Sequence, residues 1–182
     1  MVERTGERRL EREPMEAASD IMHRYMETRT RQMREGAVIV KGEGIDWEQG
    51  RQSLIKAYLH PGNWSELGVP GWIVFKNYVK KHSGKHCHQG GLAILVLQGK
   101  GYTVVDGTRY DWEKDDLILL PIIPGGCEHE HFNSEPDKPA EWLAFIFMAH
   151  YDALGNELVQ LTTSPDYQGA TVRVASPPSN AG

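Results

Sequence analysis

Residues 86–107, HCHQGGLAILVLQGKGYTVVDG, place two histidines one residue apart ahead of a β-branched run, a Gly-x-Gly break, a second run and an Asp-Gly pair. Runs this short, rich in Val, Ile, Leu and Tyr and divided by glycine, read as strands joined by tight turns. The same text continues on both sides. GWIVFKNYV (71–79) precedes it; TRYDW (108–112), DLILLP (116–121) and EWLAFIFMAH (141–150) follow. Closely spaced strands of this kind predict an all-β sandwich or barrel, and no long internal repeat is evident, so one barrel is expected.

Outward from that core the text changes character. Residues 1–13 are charged and lack an apolar period, which predicts a flexible N-terminal arm. Pro14 suits a first helical turn, Met15, Ala18, Met22 and Tyr25 recur at three- and four-residue steps, and Gly36 stands where a helix would stop. The spacing predicts an amphipathic helix over 14–34 whose Met and Tyr stripe packs on the barrel or on a second subunit. Residues 14–70 then form a helix and irregular strand extension, 71–162 the barrel core and 163–182 a peripheral tail with TVRVA as a short strand.

The 182 residues carry a formal charge of −5 with acidic and basic side chains interspersed, which leaves no footprint for nucleic acid. The two cysteines, Cys87 and Cys127, are too few for a disulfide framework and read as reduced thiols in a cytoplasmic protein. No cleavable signal and no membrane span is expected, because no apolar run approaches the length that crossing a bilayer requires.

Five of the eight histidines fall in two segments, KKHSGKHCHQGG (80–91) and PGGCEHEHFN (124–133). In a strand, residues two apart share a face, so His86 and His88 project together while Cys87 points away, and His129 and His131 repeat that geometry about forty residues later. A closed barrel brings such strands face to face, where three ring nitrogens can meet on one side of a metal and leave open positions for substrate. Imidazole suits iron, zinc, copper and nickel. Either pair alone reads equally well as strand decoration or as packed core histidine; the two together favour a metal site.

These segments resemble the two conserved motifs of the cupin superfamily. In the first motif a glycine, five residues, His-x-His, three or four residues, a glutamate, six residues and a glycine follow one another; His86, His88 and Gly99 fall in place. In the second, Pro124, Gly126, His129 and Asn133 all do. Together with the strands joining them, the motifs cover about residues 71–148. The resemblance implies a double-stranded β-helix, a jelly-roll-like barrel, with His86, His88 and His129 as metal ligands. The motif's opening glycine would fall at the turn residue Lys80. Its glutamate would fall at Leu92 or Ala93, so the usual carboxylate ligand is absent; Glu128 and Glu130 flank His129 on the opposite face. The implied site is all-histidine.

Among cupins this pattern resembles the gentisate and salicylate ring-cleaving dioxygenases, the β-diketone dioxygenases and the thiol dioxygenases, which use ferrous iron. The runs LVLQGKGYTVVDG and YDWEKDDLILLP look most like the gentisate 1,2-dioxygenase type, whose members are longer and usually carry two cupin domains. The resemblance therefore implies a mononuclear dioxygenase with Fe(II), other divalent metals (nickel, zinc, manganese, copper) being alternatives. Because three neutral imidazoles leave the ion's charge uncancelled, its substrate is expected to be a small anionic chelate, an aromatic hydroxy-acid or catechol, used together with O2. A metal-dependent isomerase, decarboxylase or lyase and a non-enzymatic ligand-binding cupin are the competing readings. His131 is expected as the catalytic acid, base or hydrogen-bond partner, with a fourth ligand or packing as its other roles. Leu92, Ile94 and Val96 are expected as an apolar wall, and Trp72 and Trp142 as residues able to stack on a ring. His82 is given a rim position, Asn133 a structural role and Cys127 a position that could line the pocket. Cupins commonly pair, so a homodimer is expected.

Overall fold

A computed structural model describes residues 17–155 and 157–177. Its elements are α1 (Ala18–Glu35), β1 (Trp47–Gln49), β2 (Leu54–Leu59), β3 (Trp72–Val79), β4 (His86–His88), β5 (Leu92–Gln98), β6 (Lys100–Val105) and β7 (Thr108–Glu113), then β8 (Leu117–Leu120), β9 (Cys127–Asn133), β10 (Ala140–Phe147), α2 (Met148–Ala153), β11 (Val159–Gln160) and β12 (Val172–Val174). The strands form two antiparallel sheets. One has the order β12-β1-β2-β3-β10-β5-β8 and the other β11-β4-β9-β6-β7. This is the expected all-β jelly-roll architecture with a helix before it.

Strand alternation assigns the inner face of the larger sheet. Across β3, β10 and β5 the register stacks Ile73, Ile146 and Leu92 in one row, and Phe75, Ala144 and Ile94 in the next. A third row holds Asn77, Trp142 and Val96. The residues between them, Trp72, Val74 and Lys76 with their partners Phe147, Phe145 and Leu143, point to the other face. On that outer face Lys76 reaches Glu141 at 2.5 Å. Beneath the inner rows, Val79, Val96, Val105, Trp112, Cys127 and Trp142 form a closed core between the sheets, where Trp112 and Trp142 meet edge to face with centroids 5.8 Å apart. A fully buried side chain of this size contributes about 1.5–3 kcal/mol by leaving water.

Two expectations are amended. The first concerns the helix, whose last turn docks on the loop before β3. There the Gln32 side-chain amide donates to the carbonyls of Leu67, at 2.9 Å, and Trp64. A Cβ on Gly36 would stand 2.5 Å from the Leu67–Gly68 backbone, so only glycine permits that approach. Met22, Tyr25, Met26 and Met33 stay exposed and α1 buries none of its residues, so its stripe is not packed on this barrel. The second is that residues before 71 are more than an extension, since β1 and β2 are members of the larger sheet. The short strand expected at TVRVA forms as β12, at the sheet edge beside β1. The expected arm at 1–13, Pro14 and Met15 lie outside the described residues.

Candidate metal centre

The site grows from one antiparallel pairing. β4 runs beside β9 with His86 opposite His129 and Cys87 opposite Glu128. Directly opposed residues on one face have neighbouring side chains, and His88, two residues on, shares that face. The ring centroids of His86 and His129 lie 4.2 Å apart, those of His88 and His129 4.7 Å, and those of His86 and His88 5.2 Å. One nitrogen from each ring lies within 4.8 Å of those of the other two. The close pairing depends on the turn before β9. Gly126 has φ +81°, and a Cβ there would stand 2.8 Å from the carbonyl of His88.

Each ring is oriented through its other nitrogen. His86 Nδ1–H donates to the Gly84 carbonyl at 3.0 Å, His88 Nδ1–H to the Gln89 carbonyl at 2.6 Å, and His129 Nδ1–H to the Cys127 carbonyl at 3.1 Å. A proton held at Nδ1 leaves the Nε2 lone pair free. At His129 that Nε2 is buried and has no hydrogen-bond partner. Buried polar atoms without partners are rare and point to a missing ion or ligand. Burial also pushes the titration of all three rings down, that of His86 to about 4, with the adjoining imidazoles adding to the effect at His129. The three rings are neutral at pH 7, the state in which imidazole binds a metal. The donor set thus fits a divalent transition ion on the chemistry of its atoms.

His131 stands apart from this trio. Its ring centroid is 5.6 Å from that of His129 and 5.1 Å from that of Trp142. Thr103, paired with it across β6 and β9 and fully buried, carries a hydroxyl 2.7 Å from His131 Nδ1. Trp112 Nε1–H donates to the same hydroxyl oxygen at 3.0 Å. An indole can only donate, so the Thr103 oxygen accepts from Trp112 and meets His131 Nδ1 either by donating its hydrogen or by accepting through its second lone pair. Burial lowers the His131 titration to about 3, so the ring is a neutral N–H donor at pH 7.

A cavity of about 480 Å³ opens over the histidines, between the two sheets. Leu92 and Ile94 line it, as does Trp142, together with all four inward histidines. Val96, of the same parity, is instead fully buried in the core below. Trp72 requires correction: it is on the outer face of β3, where it packs on Phe147 with centroids 5.1 Å apart and accepts a hydrogen bond from Trp64 Nε1 through its carbonyl. It does not reach the cavity. Nor is His82 on its rim; it pairs with Glu130 at 2.9 Å and stacks on Phe132. Cys127 is enclosed in the core and does not line the cavity, and Glu128 pairs outside with Lys85 at 2.8 Å. The side-chain amide of Asn133 donates to the Lys80 and Lys138 carbonyls, which ties down the end of β9.

The cavity also takes residues that the sequence did not single out. Asn77 is the polar member of the inner rows and accepts from the Ser53 hydroxyl. Ser83 reaches in beside the histidines while its hydroxyl oxygen accepts from the His131 amide at 3.0 Å. Tyr151 of α2 faces His88, with centroids 6.1 Å apart. Burial first and Asp152 second raise its phenol titration, which keeps the hydroxyl protonated. Inward parity could have flagged Asn77 as a polar residue within an apolar run; for Tyr151, beyond the last strand, no such signal exists.

Residues 78–146 match the family model of the cupin domain. These residues are a cupin domain. A 58-residue segment is 33% identical to the 5-aminosalicylate 1,2-dioxygenase of Comamonas sp, covering 32% of this chain and 15% of that protein. Among solved structures, a variant of the salicylate 1,2-dioxygenase of Pseudoaminobacter salicylatoxidans in complex with gentisate superposes with a TM-score of 0.50 at 16% identity, over 88% of this chain and 52% of the other. A variant of Streptomyces PAC13 with uridine gives 0.50 at 12% identity, over 71% and 98%. At these identities the structural likeness is one of fold. The match to the curated relative spans about one seventh of that relative's length, and the chain spans about half of the salicylate enzyme. Among the described residues no helix is long and apolar enough to cross a membrane.

Proposed function

We propose that His86, His88 and His129 hold one divalent metal, ferrous iron in the working protein, and that the cupin is a dioxygenase for a small anionic chelating substrate of the aromatic hydroxy-acid or catechol class. The observation that carries the metal is the orientation of the trio: three Nδ1–H groups tied to backbone carbonyls, three Nε2 atoms turned inward, and that of His129 buried without a partner. The reaction class draws support from the local similarity to the Comamonas dioxygenase, whose named substrate is an aromatic hydroxy-acid.

When bound, ferrous iron supplies Lewis acidity and redox reactivity toward dioxygen. The chain supplies the surroundings. Leu92, Ile94, Phe75 and Ile146 keep water from the reacting centre. In this reading Thr103 donates to His131 Nδ1, which puts the ring proton on Nε2, where it can donate to a substrate oxygen. Tyr151 offers a second protonated donor from the α2 side. We further place the protein in the cytoplasm as a homodimer, with the exposed Met and Tyr face of α1 as the packing element; a monomer by light scattering at micromolar concentration would remove that part.

Metal analysis of freshly purified protein, followed by oxygen uptake with aromatic hydroxy-acids and thiols under ferrous iron, tests the reading. Bound metal and oxygen consumed in proportion to hydroxy-acid support it. Turnover without oxygen uptake replaces it with an isomerase, decarboxylase or lyase, and a protein that binds ligand without turning it over replaces it with a non-enzymatic cupin.

A further inference from the structure

Of the groups that line the cavity, the charged ones are informative by their sign. Among the described residues no lysine or arginine lines it, and the one carboxylate that does, Glu48, sits toward Arg173 at 3.4 Å. His60, also on the wall, uses its Nδ1 to accept from the Gly62 amide at 3.2 Å. The inner rows of the larger sheet, opposite the histidines, are apolar over Ile73, Phe75, Ala144, Ile146, Leu92 and Ile94, and Ile55 extends them onto β2. Asn77, Ser83, Gln52 and the Tyr151 hydroxyl are the neutral polar exceptions, and Asn77 and Ser83 already bond within the protein.

Size adds a second constraint. An apolar cavity of about 150 Å³ suffices for benzene, whereas this one has about 480 Å³. A single ring would leave much of the apolar wall facing water.

We propose that this cavity selects a chelating acid whose charge is confined to the end that meets the three histidines and whose body is uncharged, apolar and larger than one ring. The inference rests on the metal reading above and deepens it. A second carboxylate on the ligand would lie against the Phe75 and Ile94 wall without a cation to pair with, and an unpaired buried charge is strongly disfavoured. A larger apolar body would instead cover the rows that a single ring leaves wet.

Cobalt(II)-loaded protein gives a visible d–d spectrum that reports ligand binding without turnover. Three probes share one chelating hydroxy-carboxylate end: 2-hydroxybenzoate, 3-hydroxy-2-naphthoate with an enlarged apolar body, and 4-hydroxyisophthalate with a second carboxylate. The naphthoate is expected to bind at least tenfold more tightly than 2-hydroxybenzoate, and the isophthalate at least tenfold more weakly. Ile55→Arg, which puts a cation on a partly exposed part of the wall, is expected to reduce the penalty on the isophthalate at least fivefold. A cobalt spectrum that forms normally but ranks the isophthalate equal to or above 2-hydroxybenzoate, or the naphthoate below it, overturns the inference and leaves the metal reading standing. Failure of the trio to bind cobalt at all overturns both.

Discussion

Thr103→Val replaces the hydroxyl that joins Trp112 to His131 with a methyl group of similar size. Thr103 is fully buried, so no water can stand in for the lost oxygen. Two hydrogen bonds disappear together: the one from Trp112 Nε1, at 3.0 Å, and the one to His131 Nδ1, at 2.7 Å. Leaving the buried indole N–H without a partner costs about 1–3 kcal/mol. For a chain of this length each kcal/mol moves Tm by about 2–4 °C, so the variant is expected to melt roughly 2–12 °C lower. The chemical consequence is distinct from the thermal one. In the native protein loaded with zinc, which is diamagnetic, nitrogen-15 shifts should identify His131 as the Nε2–H tautomer. With Thr103 as the donor to Nδ1, Thr103→Val removes that donor, and a population of the Nδ1–H tautomer should appear while the shifts of His86, His88 and His129 stay in place. A native protein with the proton of His131 on Nδ1, or a variant whose tautomer does not change, would refute the directional chain from Trp112 through Thr103 to His131.

Other perturbations separate the remaining parts of the site. His86→Ala and His129→Ala should each lose bound metal by elemental analysis while keeping the far-ultraviolet dichroism of the barrel; metal at full occupancy in both would defeat the three-histidine assignment. In metal-free protein the unfolded histidines titrate near 6.5 while the folded trio and His131 are held lower, so the unfolded chain binds more protons as pH falls below 6.5. Stability present above pH 6.5 is therefore expected to drain away toward pH 4, with the shift at His86 alone amounting to roughly 3 kcal/mol. Urea midpoints that stay flat between pH 7 and 4.5, or that fall equally in His86→Gln, would contradict this. Trp72→Ala should leave probe binding to the cobalt-loaded protein within twofold of native, because Trp72 lies on the outer face of β3. Trp142→Ala, at a position 1% exposed, should cost about 3–5 kcal/mol in denaturant unfolding.

Much of the fold and the centre of the site are legible in the residues. The short β-branched runs and their Gly and Asp-Gly breaks predict a barrel because their local preferences agree with the strands they form. The two H-x-H segments place paired imidazoles on shared faces, since side chains in a strand alternate with period two. The lack of a carboxylate at Leu92 is equally visible, and in the structure that position belongs to the apolar wall.

Alternation, however, says which residues share a face and not which face looks inward. In WIVFKNYV either parity is plausible until β10 and β5 supply the neighbours; their register turns Ile73, Phe75 and Asn77 into the cavity and Trp72 away from it. Pairing across distant segments is decided the same way. Thr103 becomes the partner of His131 only because β6 lies beside β9, and Tyr151 faces His88 only because α2 follows β10 over the cavity mouth. The amphipathic period of α1 likewise predicts a helix but not what covers it, and in this chain nothing in the barrel does. Sequence alone determined the element types, the histidine faces and the missing carboxylate, because these depend on residues close along the chain. Only the tertiary structure decided the hydroxyl partner of His131, the sign and size of the cavity wall and the orientation of β3, because these depend on which strands become neighbours.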